Sequence, residues 1–164
     1  EQTTVAMKPL NPFDITPHTE NSMPEPFKTE MGSSEWRGLG DKFGLTKLGA
    51  NLEVLHPGGQ SSIKHYHSAS DEFIYILSGT ATIISGDETY QAPQGTCFGF
   101  KAGEPKGHCV QNNTQDDVHF LVVGTRDAAD TVTYPDHDLQ WLKDAQGTPK
   151  PARKDGTFYT DNEN

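Results

Sequence analysis

Several things are scarce in this sequence, and each scarcity removes a class of protein. Only two cysteines, Cys97 and Cys109, stand in 164 residues. A disulfide framework needs more, so two reduced, buried thiols are the expectation. Basic residues are outnumbered, 13 Lys and Arg against 23 Asp and Glu, for a formal net charge of −10. Such a surface repels phosphate backbones and disfavours nucleic acid as a partner. Hydrophobic residues make up 32% of the chain and the mean hydropathy is −0.69, so a modest core with polar arms is expected. No apolar run approaches the roughly 20 residues that span a bilayer, and no membrane partner is expected. No secretory signal stands at the start, and a chain that opens on Glu1 rather than methionine is expected to have been trimmed; a cytoplasmic location is the expectation. Neither an internal repeat nor a helix-turn-helix pattern is evident.

Turn formers are plentiful, with 16 Gly and 11 Pro, as a protein of many short strands requires. The length suits one domain able to bury a core. Pro9, Pro12, Pro17, Pro24 and Pro26 crowd the first 31 residues and argue for an extended arm without helix. Residues 32–44 are glycine-rich and read as a loop leading into the main body. We therefore divide the chain into an arm and loop over 1–44, a β-domain over 45–125 and a polar C-terminal arm over 126–164. Strands are expected over 45–55, 63–67, 72–78, 80–85, 89–92, 97–100, 108–112 and 118–124, with turns at Pro57-Gly58-Gly59, Ser78-Gly79 and Gly86-Asp87. In the C-terminal arm, 131–134 reads as a short strand, 138–143 as a turn of helix, and 150–164 as loosely held. So many short strands with regular turns indicate an all-β sandwich or barrel.

The chemistry concentrates in residues 59–79. In a strand, His65 and His67 point to one face, because side chains alternate. Glu72 follows the turn formers Ser-Ala-Ser-Asp and opens the β-prone run Phe73-Ile74-Tyr75-Ile76-Leu77. An isolated histidine in a strand is usually structural. Two imidazoles and a carboxylate converging across neighbouring strands, with His108 as a fourth candidate, instead suit a first-row metal ion. His18, His56, His119 and His137 read as surface or structural.

These residues form a pattern. Gly59, five residues, His65-x-His67, four residues, Glu72, six residues and Gly79 match every fixed position of the first cupin motif. Gly95, Gly103, His108 and Asn112 match the second, with Lys101 in place of the usual proline and a longer gap before His108. The chain thus resembles the cupin superfamily, single-domain type, across residues 59–112. The resemblance implies a jelly-roll barrel, the double-stranded β-helix, with extended arms. It also implies Asn112 as a barrel position rather than a glycosylation site.

Three imidazoles and one carboxylate leave open positions on an octahedral ion, unlike a closed structural zinc site. One divalent transition metal per chain is expected, Fe, Mn, Zn, Ni or Cu, held by His65, His67, Glu72 and His108. Glu72 is also the expected catalytic group, with few candidate bases beyond it. Parity places Ile63, Ile74, Ile76, Phe98, Phe100 and Val110 around the metal as a small, apolar, water-poor substrate pocket. Tyr66, Tyr75 and Asp71 are expected to face away. The resemblance implies either a metal-dependent enzyme on a small organic molecule, of dioxygenase, isomerase, decarboxylase or lyase type, or a non-catalytic, sensor-like binding module. Phe73, Tyr75 and Leu77 fall on the outer face, although they are apolar, as do alternate residues of 118–124. Strands apolar on both faces are covered on both, so the arm or a second copy must lie outside, and a homodimer is expected.

Overall fold

A computed structural model of the chain describes residues 5–6 and 8–160; those parts of the two arms expectations that fall on 1–4, 7 and 161–164 lie outside the described residues. Twelve strands are assigned among the described residues. The larger sheet contains β1 (Ser34–Gly38), β2 (Leu48–Leu55), β4 (Glu72–Ser78), β7 (Cys97–Phe100) and β9 (Val118–Thr125), in the order β1-β2-β9-β4-β7, all antiparallel. The smaller contains β5 (Thr80–Ser85), β6 (Glu88–Pro93) and β8 (His108–Gln111), in the order β6-β5-β8. Leu55, Ile74, Ile76, Phe100, Val118 and Phe120 from the first sheet meet Ala81, Ile83, Ala92 and Val110 from the second in one core. Burial of each Leu, Ile, Val or Phe among them contributes about 1.5–3 kcal/mol.

Two motif glycines are explained by close backbone approach. Gly79, at φ 78°, turns β4 into β5, and a Cβ there would stand 2.6 Å from the Asp117 carbonyl oxygen. At Gly59 a Cβ would run into the carbonyl oxygens of Ser33 and His56. Asn112 is fully buried and closes the turn before β9. Its amide nitrogen donates to Leu55 O at 2.8 Å and Asp116 O at 2.7 Å, and its oxygen accepts from Thr114.

The arms differ from the sequence reading. Residues 34–38 form an edge strand of the larger sheet rather than loop, and Phe27–Met31 form a one-turn helix, α1, in the proline-rich stretch. Its first position follows Pro26, where the lost N–H costs nothing. The arm crosses the outer face of β1, β2 and β9. Arg37 donates to Ile15 O at 3.1 Å and lies over the Phe13 ring, which meets His119 edge-on. This cover buries Leu52 and Val54. Its described residues do not reach β4, where Phe73, Tyr75 and Leu77 are 45%, 41% and 43% exposed.

In the C-terminal arm, β10 (Val132–Thr133) pairs with β3 (Tyr66–His67). The helical turn expected at 138–143 is instead β11 (Gln140–Lys143), paired with β12 (Pro149–Ala152). Asp144 explains the difference: its carboxylate accepts from the amides of Gln146 and Thr148, folding the intervening residues into a hairpin turn. Part of the stretch expected to be loosely held is therefore a strand. Cys97 and Cys109 are free and sit in different sheets. Cys97 is exposed, correcting the expectation that both are buried.

Candidate metal centre

Three strands bring the candidate ligands together. His67 lies on β3 and His65 just before it, where a single antiparallel bridge joins it to His108 on β8. The regular strand expected over 63–67 thus narrows to its last two residues. Glu72 opens β4 and pairs with Phe100 on one side and Gly124 on the other. Ligand atoms of His65, His67 and Glu72 all lie within 4.8 Å of one another. Glu72 Oε1 is 3.5 Å from His108 Nε2, and Oε2 is 3.8 Å from His67 Nε2.

Outer partners fix which ring nitrogens carry protons. His65 Nδ1 lies 2.8 Å from Ile63 O, and a carbonyl only accepts, so Nδ1 bears the hydrogen. His67 Nδ1 lies 2.6 Å from Asp130 Oδ2 and likewise donates. In the neutral rings both Nε2 atoms then present lone pairs, and they face each other at 3.2 Å. Two lone pairs at that distance repel unless a cation stands between them. Two nitrogens bound at about 2.0–2.1 Å to one ion, at angles between octahedral and tetrahedral, lie about 2.8–3.4 Å apart. His108 supplies a second observation: its ring is buried and stacked on Phe100 at 3.8 Å, and its Nε2 has no hydrogen-bond partner. Buried polar atoms are rarely left so. The donor set fits a divalent metal.

Electrostatics agree. Burial lowers the His65 imidazole to about 4, helped by the nearby His108 ring, so His65 is neutral at pH 7 as a metal ligand must be. Burial raises the Glu72 carboxyl, but the rings of His108, His65 and His67 outweigh it and hold it below the ordinary carboxylate value. Asp130 also resists the effect of burial. The Ala69 amide and the His67 ring hold it down to about 2, and Oδ1 accepts from Ala69 N at 2.8 Å and Ser70 N at 3.1 Å.

Asp130 is absent from the sequence reading. No spacing rule leads to it, because it reaches His67 from the C-terminal arm through the pairing of β10 with β3. The pocket residues divide. Phe98 and Phe100 border a cleft beside His67 and His108. Ile74, Ile76 and Val110 are packed into the core beneath. Ile63 is turned away, into a second cluster with Phe27, Tyr134 and Leu139 that ties the arms together, because the chain is not a regular strand at that point. The cleft is polar at its mouth, correcting the expectation of an apolar, water-poor pocket: Tyr66, Ser70, Ser85, Glu88, Lys101 and Lys106 border it. Tyr66, expected to face away, is part of that wall, and Asp71 borders a second cleft over Glu72. Tyr75 does face outward. His18 stacks on Trp36, while His56, His119 and His137 pair with Asp117, Ser78 and Glu30.

Comparison with known proteins settles the family. The family model described as Cupin domain matches residues 51–124. A crystal structure from Silicibacter pomeroyi, described as a sugar phosphate isomerase from a cupin superfamily, is 34% identical over 94% of this chain and 98% of its own, with a TM-score of 0.83. The chain belongs to the cupin superfamily. Its two facing sheets are the cupin-type jelly roll. A protein from Acidithiobacillus ferrooxidans, described as a putative sugar phosphate isomerase, is 26% identical over 78% of this chain and 81% of its own, with a TM-score of 0.66. The polyketide cyclase RemF from Streptomyces resistomycificus, at 20% identity over 79% of this chain and 86% of its own with a TM-score of 0.62, shares the cupin fold. No match was found among curated proteins. Among the described residues, no helix of this cupin is long and apolar enough to cross a membrane.

Proposed function

We propose that this cupin is a metal-dependent enzyme acting on a small organic molecule, and within that class an isomerase of phosphorylated hydroxy-carbonyl compounds. The observation that carries the metal is the pair of facing Nε2 lone pairs at 3.2 Å. His65, His67, Glu72 and His108 would hold one divalent ion, drawn from Fe, Mn, Zn, Ni and Cu. Such an ion, when bound, polarises a carbonyl oxygen. Both Glu72 oxygens point at ring nitrogens, so the part in catalysis expected of Glu72 is that of a ligand.

The isomerase reading is supported by likeness to the Silicibacter pomeroyi protein along almost its whole length. The chain's own residues support an anionic substrate. Lys101 and Lys106 border the cleft beside His67 and His108. Lys106 is offset by Glu104 at 3.6 Å, whereas Lys101 has no ion-pair partner among the described residues, which leaves its ammonium group to a phosphate. Phe98 and Phe100 form the apolar side of the same cleft.

The test is to load the protein with each of the five metals and follow aldose and ketose phosphates by NMR. Interconversion of one such pair, lost in His65→Ala/His67→Ala, is the expected result. Binding of the phosphates without conversion would favour the sensor-like alternative, and neither binding nor conversion contradicts the substrate class. We also propose that the protein is a homodimer in which the uncovered outer face of β4 meets a second copy.

A further inference from the structure

At one end of the smaller sheet, its inner face becomes a wall of the cleft beside His67 and His108. Ala92 on β6, Ile83 on β5 and Val110 on β8 lie in the core. Alternation along each strand puts Glu88, Ser85 and His108 on that same face. They form one row across the sheet, because Glu88 pairs with Ser85 and Ser85 with His108. All three border the cleft. Neighbouring strands lie about 4.8 Å apart, so the Glu88 and His108 backbones stand about 10 Å apart with only the small Ser85 side chain between them.

The row is firmly placed. Gly86 and Asp87 alone join β5 to β6. Gly86 N donates to Gly107 O at 2.8 Å, and Lys64 Nζ donates to Gly86 O at 2.8 Å. The Glu88 carboxylate is held as well. The Tyr90 hydroxyl, two residues on and on the same face, donates to Glu88 Oε2, and the Tyr90 ring lies 5.5 Å from that of Phe98 on the larger sheet. The bond to Glu88 pushes the Tyr90 hydroxyl above its ordinary value, so Tyr90 keeps its proton and remains the donor. Among the described residues Glu88 has no ion-pair partner, whereas Glu104, which borders the same cleft, pairs with Lys106.

We propose that Glu88, positioned by Tyr90, binds a hydroxyl group of the substrate and so selects a sugar phosphate over a phosphorylated ligand without hydroxyls. The proposal rests on the reading of this cleft as the site of a phosphorylated hydroxy-carbonyl substrate. A carboxylate only accepts hydrogen bonds. It repels a phosphate or a second carboxylate and bonds a hydroxyl, which donates. Lys101, which follows β7 at the end of the larger sheet, has the reverse preference. The cleft thus offers a cation for the phosphate on one wall and an anion for a hydroxyl group on the other, and each excludes the wrong end of the substrate. A glutamate on an open surface is usually free to turn. Glu88 is tied by Tyr90 to a fixed strand, so little ordering is needed when a ligand arrives.

Calorimetric titration of the zinc-loaded full chain with ribitol 5-phosphate and with pentyl phosphate tests this without turnover, since neither ligand can isomerise. The wild type should bind ribitol 5-phosphate more tightly. In Glu88→Ala, at equal zinc content, that preference should shrink about tenfold, the loss expected of one hydrogen bond to a charged group. Tyr90→Phe keeps the carboxylate but frees it to turn, and should lose part of the preference. A preference unchanged in Glu88→Ala, or a wild type that binds both ligands equally, overturns the proposal alone. An unchanged preference in Tyr90→Phe overturns the role given to Tyr90. A wild type that binds neither ligand overturns the substrate reading and the proposal with it.

Discussion

Asp130 fixes His67 as a donor of Nδ1–H and thereby aims its Nε2 lone pair at the cluster. Partners of this kind typically account for 10–100-fold in metal affinity. Asp130→Ala is therefore expected to weaken binding about 10–100-fold while leaving the ligand set intact, as measured by competition with a chelating dye. Glu53 yields a prediction in pH. Its carboxyl is raised from 4.5 to about 8, so between those values the folded chain keeps a proton that the unfolded chain has lost. The stabilising contribution is complete below about 4.5 and is lost as pH rises through about 8. Denaturant titrations of the metal-free protein should show stability falling from pH 5 to pH 8, with a shallower slope in Glu53→Gln. At this scale the sequence was legible where spacing carries meaning. His65, His67 and Glu72 stand on one motif and one parity, and the structure brings them together with His108. Asp130 and Ile63 were not legible, because long-range pairing of β10 with β3 and an irregular stretch before His65 decide their directions.

β2 shows why parity misleads when both faces are covered. Leu52, Val54 and Leu55 flank Glu53 in sequence, and alternation alone does not say which of the two sets faces inward. The N-terminal arm buries Leu52 and Val54 on the outer face, so the polar residue is the one that turns inward. Most β-strands of residues 45–125 were legible because glycine turns separate short β-branched runs, but the strand expected over 63–67 is regular only at Tyr66–His67. β1 was not, since Ser34–Gly38 becomes a strand only by pairing with β2. The helical turn expected at 138–143 failed for the same reason, its partner β12 lying beyond the Asp144 turn. The loop after β7 carries the third prediction. If Lys101 receives the phosphate, Lys101→Ala should raise KM for the substrate about tenfold or more with a smaller change in kcat, as expected when a binding interaction common to ground and transition states is removed. Unchanged KM would place the anion elsewhere.

The whole molecule joins a jelly roll with its own apolar core to two arms that meet in a second cluster. Such a body does not depend on a metal to fold, unlike a zinc finger. Chelation is expected to lower Tm only by the loss of ligand linkage, with the β-type circular dichroism retained at room temperature. The exposed stripe of Phe73, Tyr75 and Leu77 belongs to the same scale, because the described residues of the arm that covers β2 stop short of it. Light scattering should report twice the 18.0 kDa chain mass, and Tyr75→Glu should shift the mass toward the monomer without changing metal content. A monomer that persists at high concentration would contradict the dimer. The central claim is that His65, His67, Glu72 and His108 hold one divalent metal ion, and metal content per chain tests it most directly. Elemental analysis of the purified protein after exposure to the five metals and desalting should find one equivalent in the wild type and almost none in His65→Ala/His67→Ala. Stoichiometric metal in the double variant, or none in the wild type, contradicts it.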